Sequence, residues 1–420
     1  MNRFFYSLLL YLALPFVPLK LLWRGIKQPA YLRHWPERFG FYNTPVIRPV
    51  IWLHCVSVGE TRAAEPLVKA LQISYPNHQI LLTHGTPTGR ETSEALFGGS
   101  LFNNSVQRVY LPYDLPFAVN HFLNHFKPAI GLLMETELWF NLIAACKQRE
   151  IPLLLLNARL SEKSAKGYTK LGKLVSESLQ SLSAIAAQTT EDLTRLQTLG
   201  ANNISVAGNL KFDVKPPADA ADKGLQLRKL FGSERTIFLA ASTREGEEKL
   251  ILEAVKNLEI LTVIVPRHPQ RFNEVESIIQ SAGFTYQRRS NLVGPVDSNI
   301  QVILGDSMGE LFTYYAACDF TFIGGSLLNY GGQNLIEAAN MGKPILIGTH
   351  TFNFAEASNN AIKEGAAIRI KDTAELRDQI LYLLHNAPKR EKMQQAALRF
   401  SEASTGATIR LIRLIAGYIS

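Results

Sequence analysis

Two sets of short apolar runs, each run trailed by a helix-length amphipathic stretch, constrain this chain more than any other feature. The first set falls at residues 50–53, 79–83, 108–111, 130–134, 153–156 and 184–187. Segments 62–73, 117–125 and 138–149 supply helical periodicity between them. Pro216, Pro217 and alternating Ala and Asp then break the rhythm over 215–222. It restarts at 236–240, 261–265, 301–304, 320–323, 345–347 and 366–370, with helices at 247–258, 334–340 and 373–384. Apolar runs alternating with helices mean βαβ units and a parallel sheet covered on both faces. With 420 residues the chain exceeds what one core usually holds. The expected fold is therefore α/β, with two doubly wound Rossmann-like domains at 31–214 and 223–401 facing across a cleft. A last amphipathic helix within 402–420 is expected to pack back towards the first domain. Such a cleft suits two substrates, one per domain.

Ahead of the first strand, residues 4–23 carry a single charge, Lys20. At about 1.5 Å per residue they are long enough to cross or enter a bilayer. Pro15 and Pro18 would bend a simple span, so a re-entrant or interfacial helix is equally compatible, as is a buried soluble helix. No small-residue cleavage site follows. Lys20, Arg24, Lys27, Arg33 and Arg38 lie on one side of the segment and Arg3 on the other. The positive-inside rule then keeps the body in the cytoplasm, with residues 1–30 as an inner-membrane anchor. The formal charge of +8 admits anionic partners. No basic block interleaved with aromatics supports nucleic acid as one of them. Cys55, Cys146 and Cys318 are too scattered for a zinc knuckle and too few for a disulfide framework.

Chemistry-bearing residues gather where strands end. His54-Cys-Val-Ser-Val-Gly-Glu60 turns off the first strand and delivers a carboxylate to a helix expected to begin near Thr61. Glu60 fits a general base there, and it equally fits a first-turn carboxylate favoured by the helix dipole. Glu135 and Glu137 follow the 130–134 strand, suited either to charge stabilisation or to ordinary capping. Lys211, just before the linker, would offset charge on a departing phosphate or simply be solvated. In the second domain, Pro266-Arg-His-Pro-Gln-Arg-Phe272 offers two guanidinium groups to an anion. Gly305-Asp-Ser-Met-Gly-Glu310 repeats the strand–turn–helix arrangement. Gly324-Gly325 and Gly331-Gly332 flank a loop leading to Asn334-Leu335-Ile336-Glu337. There backbone donors suit a phosphate, and Glu337 suits either ribose hydroxyls or a cap on Asn334. Gly348-Thr-His-Thr-Phe-Asn-Phe354 closes the set. Several such loops at successive strand ends favour a nucleotide. A lysine phosphate loop and a G-x-G-x-x-G turn are missing, which disfavours ATP and NAD. No paired aspartates are present to clamp a metal on a diphosphate donor.

Taken in order, HCVSVGE, LPYD (111–114), METELW, NARLS (157–161), GNLKFD, PRHPQRF, GDSMGEL, FIGGSL, GGQNLIEAA and THTFNF resemble the 3-deoxy-D-manno-octulosonic acid (Kdo) transferases. These are inverting glycosyltransferases of the GT-B fold acting in lipopolysaccharide synthesis. The resemblance runs from the N-terminal segment to the last helix. It implies transfer of Kdo from CMP-Kdo to a lipid IVA-type acceptor at the cytoplasmic leaflet, without metal or other cofactor. It further implies Glu60 as proton acceptor and Glu135 and Lys211 as transition-state stabilisers. Pro266, Arg267, Met308, Gly309, Glu310, Asn334, Leu335, Ile336 and Glu337 would hold the cytidine nucleotide. The chain departs from the family pattern at Gln333, usually His, at Leu335, often Pro, and at Phe140 and Thr349, where Pro is common. Rival readings are a lipid-linked transferase using a UDP-sugar and a non-catalytic, membrane-bound nucleotide-binding protein.

Overall fold

A computed structural model describes residues 2–98 and 105–419, which form two compact units: Met1–Val214 with Thr405–Ser420, and Lys215–Ser404. The first opens with helices α1 (Arg3–Ala13) and α2 (Phe16–Lys27). Seven parallel strands follow: β1 (Val50–His54), β2 (Gln79–His84), β3 (Val106–Tyr110), β4 (Ile130–Met134), β5 (Leu153–Ala158), β6 (Ala184–Ala187) and β7 (Ile204–Val206). Their order is β3-β2-β1-β4-β5-β6-β7, so the winding reverses between β1 and β4. The central strands are buried along their length, as helices on both faces require. Trp52, Leu81, Leu133 and Leu155 point into one core with Phe122, Phe126 and Ile143. Ile51, Leu53, Leu82, Leu132 and Leu154 point into the other with Leu67 and Leu71. The period-2 alternation of a strand makes this division.

Four further helices fix the site. They are α3 (Val58–Ala63), α4 (Glu65–Ser74), α5 (Pro87–Phe97) and α6 (Pro116–Phe126), and a fifth, α7 (Phe140–Gln148), follows β4. The single helix expected over 62–73 is two, and it begins earlier, at Val58. Pro66 cannot donate the bond that would join them, and Ala64 is the break. The helix expected over 402–418 is likewise divided. One helix ends at Ser404, and Gly406, with φ +94°, opens Ala407–Ala416. The Asp213 carboxylate accepts the backbone N–H groups of Gly406 (2.6 Å) and Thr408, and Arg410 Nε donates to Ala207 O at 2.7 Å. Leu411 and Ile415 thereby join the core beside α4.

The second unit repeats the plan with β8 (Ile237–Thr243), β9 (Leu261–Pro266), β10 (Tyr286–Arg288), β11 (Val302–Leu304), β12 (Phe320–Ile323), β13 (Ile345–Ile347) and β14 (Ala367–Arg369). The order is β10-β11-β9-β8-β12-β13-β14, again parallel. Residues 215–222 are not a free linker. Helix Ala220–Phe231 takes up the last three of these residues, and Gly224 lets that helix approach Ala316 closely.

Among the described residues no single helix is long and apolar enough to cross a membrane; α1 and α2 meet at a 57° bend. Pro15, the residue before α2, is the break, while Pro18 is accommodated in the first turn of α2. Phe4, Phe5, Leu9, Leu12, Phe16, Leu19, Trp23 and Ile26 are exposed. Arg38 is not a juxtamembrane charge. It is buried, donates to Gly85 O at 3.3 Å and lies 3.9 Å from the Tyr110 ring centroid.

Candidate active site

Ser57 leaves β1 in extended conformation and caps α3, placing Glu60 at the third helical position, two residues past the helix start. The pair forms a capping box with a variation. Glu60 N–H donates to Ser57 Oγ at 3.4 Å, Ser57 Oγ–H donates back to Glu60 Oε1 at 3.0 Å, and Val56 N–H donates to Oε2 at 2.7 Å. One carboxylate thus both closes the capping box and accepts a backbone N–H from the strand end. Each of its oxygens accepts one of these bonds and retains a second lone pair. Glu60 is 8% exposed. Burial first, and then the negative charge of Glu135, push its pKa up to about 7; the two hydrogen bonds oppose them.

Glu135 directly follows β4, the strand beside β1, so both carboxylates stand where the winding reverses and ligands of such sheets collect. Its backbone is left-handed, φ +58°, a strained conformation for a residue with a Cβ. Its N–H donates to Leu156 O at 3.0 Å, and Thr136 Oγ1 donates to Arg159 O at 2.6 Å. Lys211 Nζ lies 3.7 Å from Glu135 Oε1. A polar chain from β5 holds the lysine's loop. Asn157 Oδ1 accepts from Leu210 N–H, Gln188 Nε2 donates to Asn157 O, Asn209 Nδ2 donates to Gln188 Oε1, and Asn209 Oδ1 accepts from Lys211 N–H, each at 3.0 Å. Asn157 is itself left-handed at φ +52°. NARLS marks this residue in the sequence, but its role rests on contacts with residues far along the chain. Glu137, also raised by burial and then by Glu135, completes a cluster of three carboxylates and one lysine.

In the second unit, neighbouring strands β11, β9, β8 and β12 bring their carboxyl ends side by side. Pro266 closes β9, and Arg267 N–H donates to Thr243 O at 3.0 Å. His268 has a lowered pKa, through burial and then the charges of Arg244, Arg267 and Arg271. The charges of three guanidinium groups thus act on one imidazole. Arg271, read as a partner for an anion, is committed elsewhere. It pairs bidentately with the fully buried Glu248 at 2.7 and 3.1 Å and with Glu274 at 3.0 Å.

After β11, Met308 is exposed, Gly309 turns at φ +79°, and Glu310 pairs with Arg289 at 3.1 Å. After β12, the buried Glu247 accepts the N–H groups of Gly325 (2.6 Å), Leu327 (3.0 Å) and Arg244 (2.9 Å). Gly332 and Gln333 N–H groups donate to Gly325 and Gly324 carbonyls. Those glycine-loop donors are thus spent on the fold. Asn334 Oδ1 accepts from Ile336 N–H at 3.1 Å, and its Nδ2 donates to Glu337 Oε1 at 3.1 Å. Leu335 and Ile336 have buried side chains and can offer a ligand only backbone. Leu335, not Asn334, is the cap residue of the short helix Ile336–Asn340.

Two parallel-sheet Rossmann-like units put the chain in the GT-B-like class. A glycosyltransferase from Rickettsia africae covers 90% of this chain and 98% of its own at 16% identity, with a TM-score of 0.58. A UDP-GlcNAc 2-epimerase from Neisseria meningitidis covers 88% and 100% at 16% identity, with a TM-score of 0.60. At such identity they speak for the fold alone. Residues 33–214 match the family described as 3-Deoxy-D-manno-octulosonic-acid transferase (kdotransferase), and 237–400 match Glycosyl transferases group 1. A 3-deoxy-D-manno-octulosonic acid transferase of Bordetella pertussis is 42% identical over 90% of both chains. One of Haemophilus influenzae is 38% identical over 100% of this chain and 99% of its own. The chain belongs to the 3-deoxy-D-manno-octulosonic acid (Kdo) transferases and is a glycosyltransferase.

Proposed function

We propose that the enzyme moves Kdo from CMP-Kdo to a hydroxyl of a lipid IVA-type acceptor, inverting the anomeric centre, with Glu60 as general base. The observation that carries this reading is the Glu60 carboxylate itself. It is buried, fixed by two hydrogen bonds and raised to about 7 beside a second carboxylate. A base works best when its pKa lies near the operating pH, contributing on the order of 10²–10⁴ in rate. Glu60 takes the hydroxyl proton as the acceptor oxygen attacks the anomeric carbon. The bond from that carbon to the phosphate oxygen breaks, and CMP departs with the electron pair. Glu135 faces positive charge developing on the sugar, and Lys211 offsets negative charge on the leaving phosphate.

In this reading the first unit serves the acceptor. The second binds the nucleotide through Pro266, Arg267, Met308, Gly309, Glu310, Asn334, Leu335, Ile336 and Glu337. Arg244 and Arg267, whose charges act on His268, attract the phosphate. The bent apolar pair α1–α2 holds the enzyme at the cytoplasmic leaflet of the inner membrane, beside its lipid acceptor. Glu60→Ala is expected to abolish transfer while calorimetry still records CMP binding; near-normal turnover by that variant rejects the base assignment. Offering CMP-Kdo and UDP-sugars side by side with the lipid acceptor tests the donor.

A further inference from the structure

Helix α7 begins immediately after the loop that carries Glu135 and Glu137, yet its cap residue, Trp139, gives it no side-chain cap. The cap comes from elsewhere. Asp114, 3% exposed in the loop after β3, accepts the N–H of Asn141 on Oδ2 and that of Leu142 on Oδ1, both at 2.9 Å. Asn141 Nδ2 returns a bond to Asp114 O at 2.6 Å. Helix α1 closes over this junction. Tyr6 Oη–H donates to the same Asp114 Oδ2 at 3.0 Å, and Ser7 Oγ–H donates to Asn141 Oδ1 at 3.0 Å. The Tyr6 ring packs edge-on against Phe140, the first residue of α7, with centroids 5.0 Å apart. While the outward side chains of α1 are bare apolar groups, its inward polar ones are all but spent on the α7 start.

We infer that Asp114 and Tyr6 are positioning residues, coupling the apolar N-terminal helix to the loop that holds Glu135 at the reaction centre. At its far end the loop is held by the Leu156, Arg159 and Tyr168 contacts. At its near end Leu138 and Trp139 pack against the core and the chain runs straight into the first turn of α7. An uncapped first turn frays, and fraying there frees Glu135 to leave its strained backbone conformation. The contacts of α1 with the α7 start then act on the chemical step, apart from any part α1 has in recruitment.

The inference rests on the proposed role of Glu135, so its test has one arm independent of activity. Tyr6→Phe keeps the ring on Phe140 and removes only the hydroxyl; Asp114→Asn removes the charge at nearly constant shape. In full-length protein both are expected to speed hydrogen exchange at amides 135–142 several-fold, with little change elsewhere. With CMP-Kdo and lipid acceptor saturating in detergent micelles, where recruitment no longer counts, Tyr6→Phe lowers kcat roughly three- to ten-fold, a typical penalty for a small misplacement. KM for CMP-Kdo stays as in the parent. Adding Tyr6→Phe to Asp114→Asn costs little more than Asp114→Asn alone. Glu135 and Glu137 are the carboxylates acting on Glu60, so the acid limb of kcat/KM moves to lower pH as the loop loosens. Parental exchange and parental kcat in Tyr6→Phe, with altered vesicle binding only, overturn the coupling and leave α1 a plain anchor. Should Asp114→Asn fail to fold, Tyr6→Phe decides. Absence of any transfer from CMP-Kdo by the parent rejects the proposed function, and the exchange arm still decides whether α1 orders the loop.

Discussion

A carboxylate that caps a helix and, in the proposed mechanism, also serves as the base must satisfy two demands, and Glu60 can do so by dividing its oxygens. One accepts from Val56 N–H and the other from Ser57 Oγ–H. Those bonds stabilise the charged form, while burial and Glu135 disfavour it, and the balance falls at about 7. The active form is the deprotonated one, so kcat/KM is expected to rise with pH through about 7 and level off above it. Glu135→Gln removes the like charge, so the acid limb of the pH profile should move below its parental position, even though overall rate falls. A limb that moves upward, or not at all, would show that Glu135 does not act on the base. The neighbouring His54 and His84 do not compete for this role. Burial, the main cause in each, holds their pKa values near 3 and 4, so both are neutral at physiological pH.

At the scale of elements, the joints matter more than the elements they join. Asp213 caps the start of helix Ala407–Ala416 from far along the chain, through Gly406 and Thr408. Asp213→Ala should cost about 1–2 kcal/mol of stability, the usual value of a lost cap, read as a lower thermal midpoint. The same capping logic explains what could be read in the sequence and what could not. Strands such as β4 and β12 are legible because a run of apolar residues buried on both faces has few other uses. The edge strands β7 and β10 are three residues each and only partly buried, so they leave no apolar run to find. Glu60, Glu135 and Lys211 stand in short motifs at strand ends, and the structure gathers them around one reversal of winding. Asp114, Glu247 and Glu248 stayed hidden, because a carboxylate looks the same in sequence whether it is solvated or buried against a distant amide. Arg38 and Arg271 were misread for the same reason in reverse. Their partners, Tyr110 and Glu248, are too distant in sequence to suggest that either guanidinium is held.

For the molecule as a whole, the two units differ in how the chain builds them. The second is one continuous stretch, Lys215–Ser404, with its own core around Phe238, Phe320 and Phe322. The first is discontinuous and needs Thr405–Ser420 to complete its core beside α4. A chain stopped at 404 would uncover the apolar patch that Leu411 and Ile415 now seal. Each is a fully buried side chain worth about 1.5–3 kcal/mol. Fragment 215–404 is therefore expected to unfold cooperatively and bind CMP in calorimetry, whereas fragment 1–404 should bind a hydrophobic dye and lose acceptor-side activity.

That late seal also sets an order of events during synthesis. Helices α1 and α2 are translated ahead of the strands of the first unit. The core of the first unit stays open until translation passes residue 416, after the whole second unit has been made and can fold. A chain abandoned part-way has an unsealed first unit, the kind of exposed apolar surface that cellular proteases remove. Glu60 is thus carried by a unit whose core closes only once residues 405–416 have been made.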